Sequence, residues 1–552
     1  MWEKKSGFFV FAILGIFCWY FFSLLDNIPR DDEYWLLADF NGFYSQKSFW
    51  EQVGTLFKIK NSHRFVPVFA LYAIILKIFG IINLKLVVCF AFILLLAFIY
   101  LLSKPLKGKN KLFTIPILLI FLNPMCYSMT FFGEHVMQYL TLFLSMVGCI
   151  YLISYRLNDK FWLLIAVAVI CSFTFGNGLL VWIIGAILIA SKLEWRKLAF
   201  WSAAGISTYF VFFATFHNTG IEGSPFDFLH YLDKFSVFVA SFPGNGMDFF
   251  PRLIISNFQQ YPVSLKLFLA LRIALIFALP LFVLISLLRF FFLKRKSLKF
   301  SNSPEDSYLL FTIGIILFVV FSGGLAAIFR SHIGYGEGVA TRYRLFGQLF
   351  VLASYMLYIF YKNFSSKSLK YAIWVCSAYW VISYVVFLPK AKGSSVDFSA
   401  SKLNVLDHGK TYIFGGYEKD IEDGIDDTLL PSILASNTYN YTGQKLDLTS
   451  QIAQAKEVEV GYEIVEKMLI LDIESYEWYN LADKKYLLVE SDTKLTYVPL
   501  SPITYFSKYY AHAGKLKGSL YPSLFTEKHK AYYLLTLKNR ESELLKIKGI
   551  KL

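Results

Sequence analysis

Long apolar runs separated by short polar ones dominate the first 388 residues. A helix that crosses a bilayer needs roughly 20 predominantly apolar residues. Runs of this kind, several of them shorter, cover 7–25, 66–82, 84–102, 112–123, 137–155, 161–174, 178–191, 198–216, 264–293, 308–329, 346–361 and 371–388. They predict a mainly α, polytopic transmembrane helix bundle. The first run starts with Lys4 and Lys5, but Phe21, Phe22, Leu24 and Leu25 stand where a signal peptide carries small cleavage-site residues, so a retained anchor is expected. Beyond residue 388 the pattern changes. Strand-like runs at Tyr412–Phe414, Tyr486–Val489 and Tyr532–Leu537 are interleaved with helix-like stretches such as Ile452–Leu469. The chain thus divides into a membrane part, 1–388, and a C-terminal soluble domain, 389–552, expected to be a small α/β or α+β unit.

Charge orients the bundle. Basic loops at Lys104–Lys111, Arg156–Lys160, Lys192–Lys197, Lys294–Lys299 and Lys362–Lys370 mark the cytoplasmic side. The loops 26–65, 124–136, 175–178, 217–262 and 330–345 then lie outside, and so does the C-terminal domain. One conflict arises, because two crossings between 66 and 102 would bring Lys104–Lys111 out. Either one of those segments is re-entrant, or Lys104–Lys111 is outside and 112–123 does not cross; both give about 11 crossings.

Composition agrees with this picture. Of 552 residues, 56% are hydrophobic and 17% charged, with a mean hydropathy of +0.51, which excludes a soluble globule and a disordered chain. The net charge of +15 belongs to the membrane part, which holds 33 Lys+Arg against 17 Asp+Glu, whereas the tail holds 21 against 22. An excess placed beside apolar segments is the mark of cytoplasmic loops, so no nucleic-acid partner is expected. The six cysteines form no C-x-x-C pair and none lies in the tail, so neither a disulfide framework nor a zinc site is expected.

Candidate chemistry concentrates in the outer loops. Six of the 17 carboxylates of the membrane part lie in 26–65, among them Asp31-Asp32-Glu33. Three adjacent carboxylates raise one another's pKa if buried together, so such a group meets water, binds a cation or keeps one member as a base. The aromatic stretches Tyr34–Phe43 and Phe49–Phe57 are expected to lie in the interface plane. Asn61-Ser62-His63-Arg64 puts an arginine at an outer helix start, where it needs lipid phosphate or a carboxylate. Glu134 and His135 enter the fifth run and could line a polar cavity with Gln138. Asn177, in Gly176-Asn177-Gly178, marks a tight turn or a broken helix whose amides can face an anion. The densest group is Arg330–Arg344, with Arg330, His332, Arg342, Tyr343 and Arg344 among several glycines. Arginine's planar fork suits phosphate, and glycines let backbone approach a ligand.

Gly334-Tyr-Gly-Glu-Gly-Val-Ala-Thr-Arg-Tyr343 resembles the G-x-G-x-x-x-A-[ST]-R-Y loop of a broad group of bacterial multi-pass membrane proteins. Phe173–Trp182 is similar to that group's a-N-G-L-l-v-W turn, and the acidic pair after the first helix resembles the early-loop motif of GT-C glycosyltransferases. The layout of residues 1–388 is also similar, while the tail carries no such motif. The resemblance implies an enzyme of the inner membrane that moves a sugar from a polyprenyl-phosphate donor to a glycan, lipid or protein acceptor of the cell envelope. It implies Asp31 or Asp32 as base, and Arg342 and Arg330, with Tyr343 and Arg64, around the donor phosphate. Glu33, His63, Glu134, His135, Asn177 and His332 would line the cavity. Members of the group differ in metal use; a divalent ion would fall to Asp31 and Asp32. Two other readings fit the layout: a polymerase or ligase of lipid-linked glycans, and a transporter or flippase.

Overall fold

A computed structural model of the chain describes residues 2–30, 32–46, 48–56, 64–106, 108–214, 227–249, 263–290, 299–334, 337–411, 425–441, 445–465, 468–474, 480–492, 494–503, 514–519, 529–538 and 541–550. All twelve apolar runs fall on helices. They are α1 (Trp2–Ser23), α4 (Val66–Phe79), α5 (Leu84–Ser103), α6 (Ile115–Phe121), α8 (Gly133–Arg156), α9 (Phe161–Ser172), α10 (Leu180–Ser191), α11 (Trp195–Ala214), α13 (Val263–Arg289), α14 (Pro304–Arg330), α15 (Arg344–Tyr361) and α16 (Ser366–His408). Between them lie α2 (Glu33–Tyr44), α3 (Phe49–Leu56), α7 (Tyr127–Thr130) and α12 (Leu232–Ser241). Among the described residues, eight helical stretches are long and apolar enough to cross a membrane, and four shorter apolar helices accompany them.

Aromatic packing builds the centre of the bundle. Phe143 of α8 meets Phe98 of α5, Phe318 of α14 and Phe346 of α15, with ring centroids 5.9, 5.4 and 4.7 Å away. Phe242, just past α12, stacks on Phe346 at 5.3 Å. The outward faces of α1, α11, α13 and α16 stay apolar and exposed, as Phe11, Phe210, Leu267 and Trp374 illustrate. Such a surface matches lipid rather than water.

The bundle has two distinct ends. At one, the described basic loops gather, 294–298 lying outside the described residues: Lys104 Nζ lies 5.3 Å from the Tyr151 ring centre, Lys109 Nζ 4.5 Å from that of Phe364, and Lys192 Nζ donates to the Ser154 carbonyl at 2.9 Å. The loop Lys104–Lys111 therefore sits with the other basic loops. At the opposite, loop-bearing end, the main chain leaves α1 and enters α8. Both ends of α4 lie there. Arg64, just before it, donates to Phe212 O at 2.7 Å. Just after it, Ile82 N donates to Thr438 O and Leu84 N to Asn27 Oδ1, each at 2.7 Å. At 14 residues, about 21 Å long, α4 packs Phe69 and Tyr72 on Phe40 of α2.

The C-terminal domain differs from expectation. It is an eight-stranded β half-barrel in the order β1-β8-β7-β4-β5-β6-β3-β2, antiparallel except for β1 with β8. Its strands are β1 (Lys456–Glu459), β2 (Tyr462–Val465), β3 (Met468–Glu474), β4 (Asp483–Ser491), β5 (Leu495–Pro502), β6 (Lys515–Ser519), β7 (His529–Lys538) and β8 (Glu541–Lys548). Short helices α17 (Leu430–Ala435) and α18 (Thr449–Gln454) precede it. The helix expected over Ile452–Leu469 ends at Gln454. Val458, Val460, Ile464 and Val465 are β-branched, and the period-2 alternation around them favours strands. Tyr486–Val489 and Tyr532–Leu537 are strands as expected, while Tyr412–Phe414 lies outside the described residues.

Period 2 gives the sheet two apolar faces. Leu487, Val489, Val498, Leu500 and Leu534 line one; Tyr486, Leu488, Tyr497, Tyr533 and Leu535 line the other and pack on Val396 and Ala400 of α16. The 388/389 boundary falls inside α16, which runs through Pro389 and serves both parts. Asn404 of α16 bonds both backbone groups of Tyr497, at 2.8 and 3.1 Å, where β6 no longer covers β5. The segment after α17 ties the domain to the bundle. Tyr441 Oη lies 2.6 Å from Tyr34 Oη, and Tyr439 Oη donates to Asn27 O at 2.8 Å.

Candidate active site at the loop-bearing end

The acidic run divides by environment. Asp31 lies outside the described residues, as does His63. Asp32, immediately before α2, is exposed, whereas Glu33, one residue on, is 1% exposed. The Glu33 carboxyl accepts from the backbone N–H of Arg30 at 2.8 Å and of Glu134 at 3.2 Å. Glu134 lies in the first turn of α8, so Glu33 caps that helix from another part of the chain, where orphan N–H groups favour a carboxylate. Burial pushes the Glu33 pKa up to about 8 against the pull of those bonds and of Arg30. Gly133 leaves the room: a Cβ there would stand 2.9 Å from Glu33 Oε1 and 3.2 Å from Val87 Cγ1.

This cap fixes His135 two residues further along. Its ring is held edge-on by Phe132 at 4.2 Å and stacks on Tyr139 at 6.4 Å. The charges of Asp32, Arg342 and Arg330 all reach it. Its Nδ1 is buried and has no hydrogen-bond partner among the described residues. Four residues far apart in sequence thus share one neighbourhood: a carboxylate, an imidazole and two guanidinium groups. His332 is exposed on the 3-10 turn Ser331–Ile333 that follows α14.

The arginine loop is braced from behind. Arg342 is 38% exposed, pairs with Glu337 and lies 5.2 Å from the Tyr343 ring. Tyr343 is buried between Phe238 and Phe242, which gives it a packing role beside Arg342. A Cβ on Gly338 would meet Ser241 Oγ at 2.6 Å and Phe238 O at 2.9 Å, so this glycine serves contact with α12. Asn245 Nδ2 donates to Ala340 O at 2.9 Å. Asn245 belongs to the 3-10 turn Pro243–Met247, which sequence reasoning passed over, although its Gly-Asn-Gly repeats that of 176–178. Behind the turn, Asp248 accepts a fork from Arg272 at 2.8 and 2.8 Å, both side chains buried.

The remaining candidates lie deeper. Arg64 is 1% exposed, with its guanidinium against the rings of Phe212 and Phe173 at 4.6 and 5.5 Å. Glu134 is buried. Asn177 is half-buried in the 3-10 turn Gly176–Leu179, where the Gly178 amide is spent on Phe175 O at 2.7 Å. That turn brings Phe175 to 4.9 Å from Tyr139. Arg344 donates to Met125 O at 3.3 Å and covers Phe387.

Beside Tyr139 an apolar cavity of about 40 Å³ opens between α1, α5, α8 and α15, with Phe21, Phe92, Leu140 and Leu345 in its wall and Asn123, Thr130 and Gln348 among its polar members. Its present volume suits a few waters, so a lipid chain enters only if these helices part. No cluster of three or more His, Cys, Asp or Glu suited to a metal occurs among the described residues; Asp32 and His135 alone do not make a metal set. The chain matches no known protein family, no curated protein and no solved structure.

Proposed function

We propose that this protein is an integral membrane glycosyltransferase of GT-C type, moving a sugar from a polyprenyl-phosphate donor to a glycan, lipid or protein acceptor of the cell envelope. The observation that carries this reading is that the charges of Asp32, Arg330 and Arg342 all act on His135, whose Nδ1 is buried and has no hydrogen-bond partner among the described residues. An acceptor hydroxyl attacks the anomeric carbon while the bond from that carbon to the phosphate oxygen breaks. The hydroxyl proton passes to the Asp32 carboxylate, the group open to an incoming acceptor. Negative charge grows on the departing phosphate, and Arg330 and Arg342 stand preorganised to receive it. His135 orients the phosphate or acceptor through Nδ1. The prenyl chain follows the apolar seam between α1 and α5 after these helices part. With α4 returning to its own side, eleven passes remain, and the β half-barrel then lies on the extracytoplasmic side, opposite the basic loops. The reading is tested in vesicles supplied with polyprenyl-phosphate hexose donors. Asp32→Asn and Arg342→Ala abolish transfer if it holds, and full transfer by both overturns it.

A further inference from the structure

A second polar site lies at the basic end, remote from the arginine loop. A pocket of about 320 Å³ opens between the last turn of α8, the loop to α9, the end of α10 and the start of α14. Its donors are Arg156, Lys192, Asn158, Asn302 and the hydroxyls of Ser154 and Ser307. Lys192 Nζ donates to Ser154 O and to Asn302 Oδ1, both at 2.9 Å, which leaves its third N–H for another acceptor. Ser154 is fully buried, and its Oγ has no hydrogen-bond partner among the described residues.

The neighbouring carboxylates are occupied elsewhere. Asp159, in the pocket wall, pairs with Arg156 at 3.2 Å and so balances that charge, and Glu194 pairs with Lys197 at 3.4 Å; Lys192 is left as the site's cation. Asp306 accepts from Ser301 N and Oγ, each at 2.7 Å. Burial lowers the Lys192 pKa, and Glu194 and Asp306 offset this only in part. The start of α14 lies in the same wall, its positive dipole end offset by Glu305 and Asp306 of its first turn. The site therefore offers donors and positive charge without a protein anion hydrogen-bonded to Lys192.

Its level in the membrane identifies the anion. Trp162 lies in the first turn of α9 and Trp195 begins α11, both exposed, at 72% and 63%. Exposed tryptophans at helix ends mark the headgroup layer. We propose that this pocket holds the phosphate of an anionic phospholipid from the leaflet at the basic end. The phosphodiester oxygens take the free Lys192 N–H and the Ser154 hydroxyl, while the acyl chains lie along the exposed apolar helix faces. Basic pockets between membrane helices are suited to such headgroups. The inference does not depend on the glycosyl-transfer reading.

The test uses the purified full chain in detergent, with phosphatidylglycerol as probe, phosphatidylcholine as reference and inorganic phosphate as competitor. Lipid retention is read by native mass spectrometry. The wild type should retain phosphatidylglycerol over phosphatidylcholine, and millimolar phosphate should not displace it. Lys192→Met should cut retention roughly fivefold, the share of one basic residue near a charged leaflet. Asn302→Asp keeps the pocket's shape but hands Lys192 a carboxylate, and should act in the same direction; it decides the matter if Lys192→Met does not fold. Wild-type retention by a folded Lys192→Met or by Asn302→Asp overturns the site. Displacement by inorganic phosphate overturns the lipid assignment in favour of a free-anion site.

Discussion

Two groups of arginines occupy the loop-bearing half of the bundle, and they differ in what they already hold. Arg30, Arg64, Arg272 and Arg344 are buried. Arg272 is forked to Asp248, Arg30 donates to Asp26 at 3.1 Å, and Arg64 and Arg344 donate to main-chain carbonyls and cover aromatic rings. Arg330 and Arg342 are half-exposed, their charges act on His135, and Arg342 pairs with Glu337 at the rim. A guanidinium fully surrounded by protein holds the fold; one at a rim can exchange partners with a ligand. The same division separates Glu33 from Asp32, although they are neighbours in the chain.

The largest effect should come from the buried group. Asp248→Ala removes the buried carboxylate fork from the Arg272 guanidinium, which costs about 3–5 kcal/mol, and the variant should fail to give a monodisperse peak on fluorescence-detected size exclusion. Arg342→Ala should do the reverse: it breaks only the rim pair with Glu337, so the protein stays folded with a melting temperature a few degrees lower, while transfer falls about 10²–10³-fold, the scale for loss of one preorganised charge-stabilising donor. If both variants lose folding, the division between buried and rim arginines fails.

Gly133→Ala should have an intermediate effect. The added methyl presses on Glu33 and Val87, costing about 1–3 kcal/mol, and it disturbs His135 through the start of α8. The melting temperature should fall, and transfer should fall with it. Replacing Gly324 by Ala is the matching control, because a Cβ there meets nothing within 4 Å.

Glu33 provides the finest test. Its folded pKa, raised by burial to about 8, lies above the ordinary carboxylate value, so the folded state holds a proton that the unfolded chain releases. Its contribution to stability is full below about pH 4, declines as pH rises, and levels off above about pH 8. Glu33→Gln should flatten that stretch of the melting-temperature profile and raise stability at pH 8 relative to wild type. A variant profile parallel to wild type would mean that Glu33 titrates as an ordinary surface acid.

Much of the architecture is legible in the sequence, because apolar run length and Lys/Arg bias are local signals. All twelve runs are helices, and the described basic loops do gather at one end. The placement of both ends of α4 at the loop-bearing end is not legible, since its apolar content equals that of a crossing helix and only the contacts at Arg64 and Ile82 reveal it. The half-barrel was misread over 452–469, where a polar stretch rich in Lys, Glu and Gln masks alternating valines. At the site, the motif residues around Arg342 were visible as charge out of place. The separate roles of Asp32 and Glu33, the brace from Asn245 to Ala340 and the Asp248–Arg272 fork depend on contacts between distant segments, and no spacing encodes them.

The most direct test pairs Asp32→Asn with Glu33→Gln, reading transfer from polyprenyl-phosphate donors and melting temperature on the same preparations. The account predicts that Asp32→Asn loses transfer at unchanged melting temperature, whereas Glu33→Gln keeps transfer and changes the melting temperature. Full transfer by Asp32→Asn, with transfer lost in Glu33→Gln at unchanged melting temperature, would contradict it.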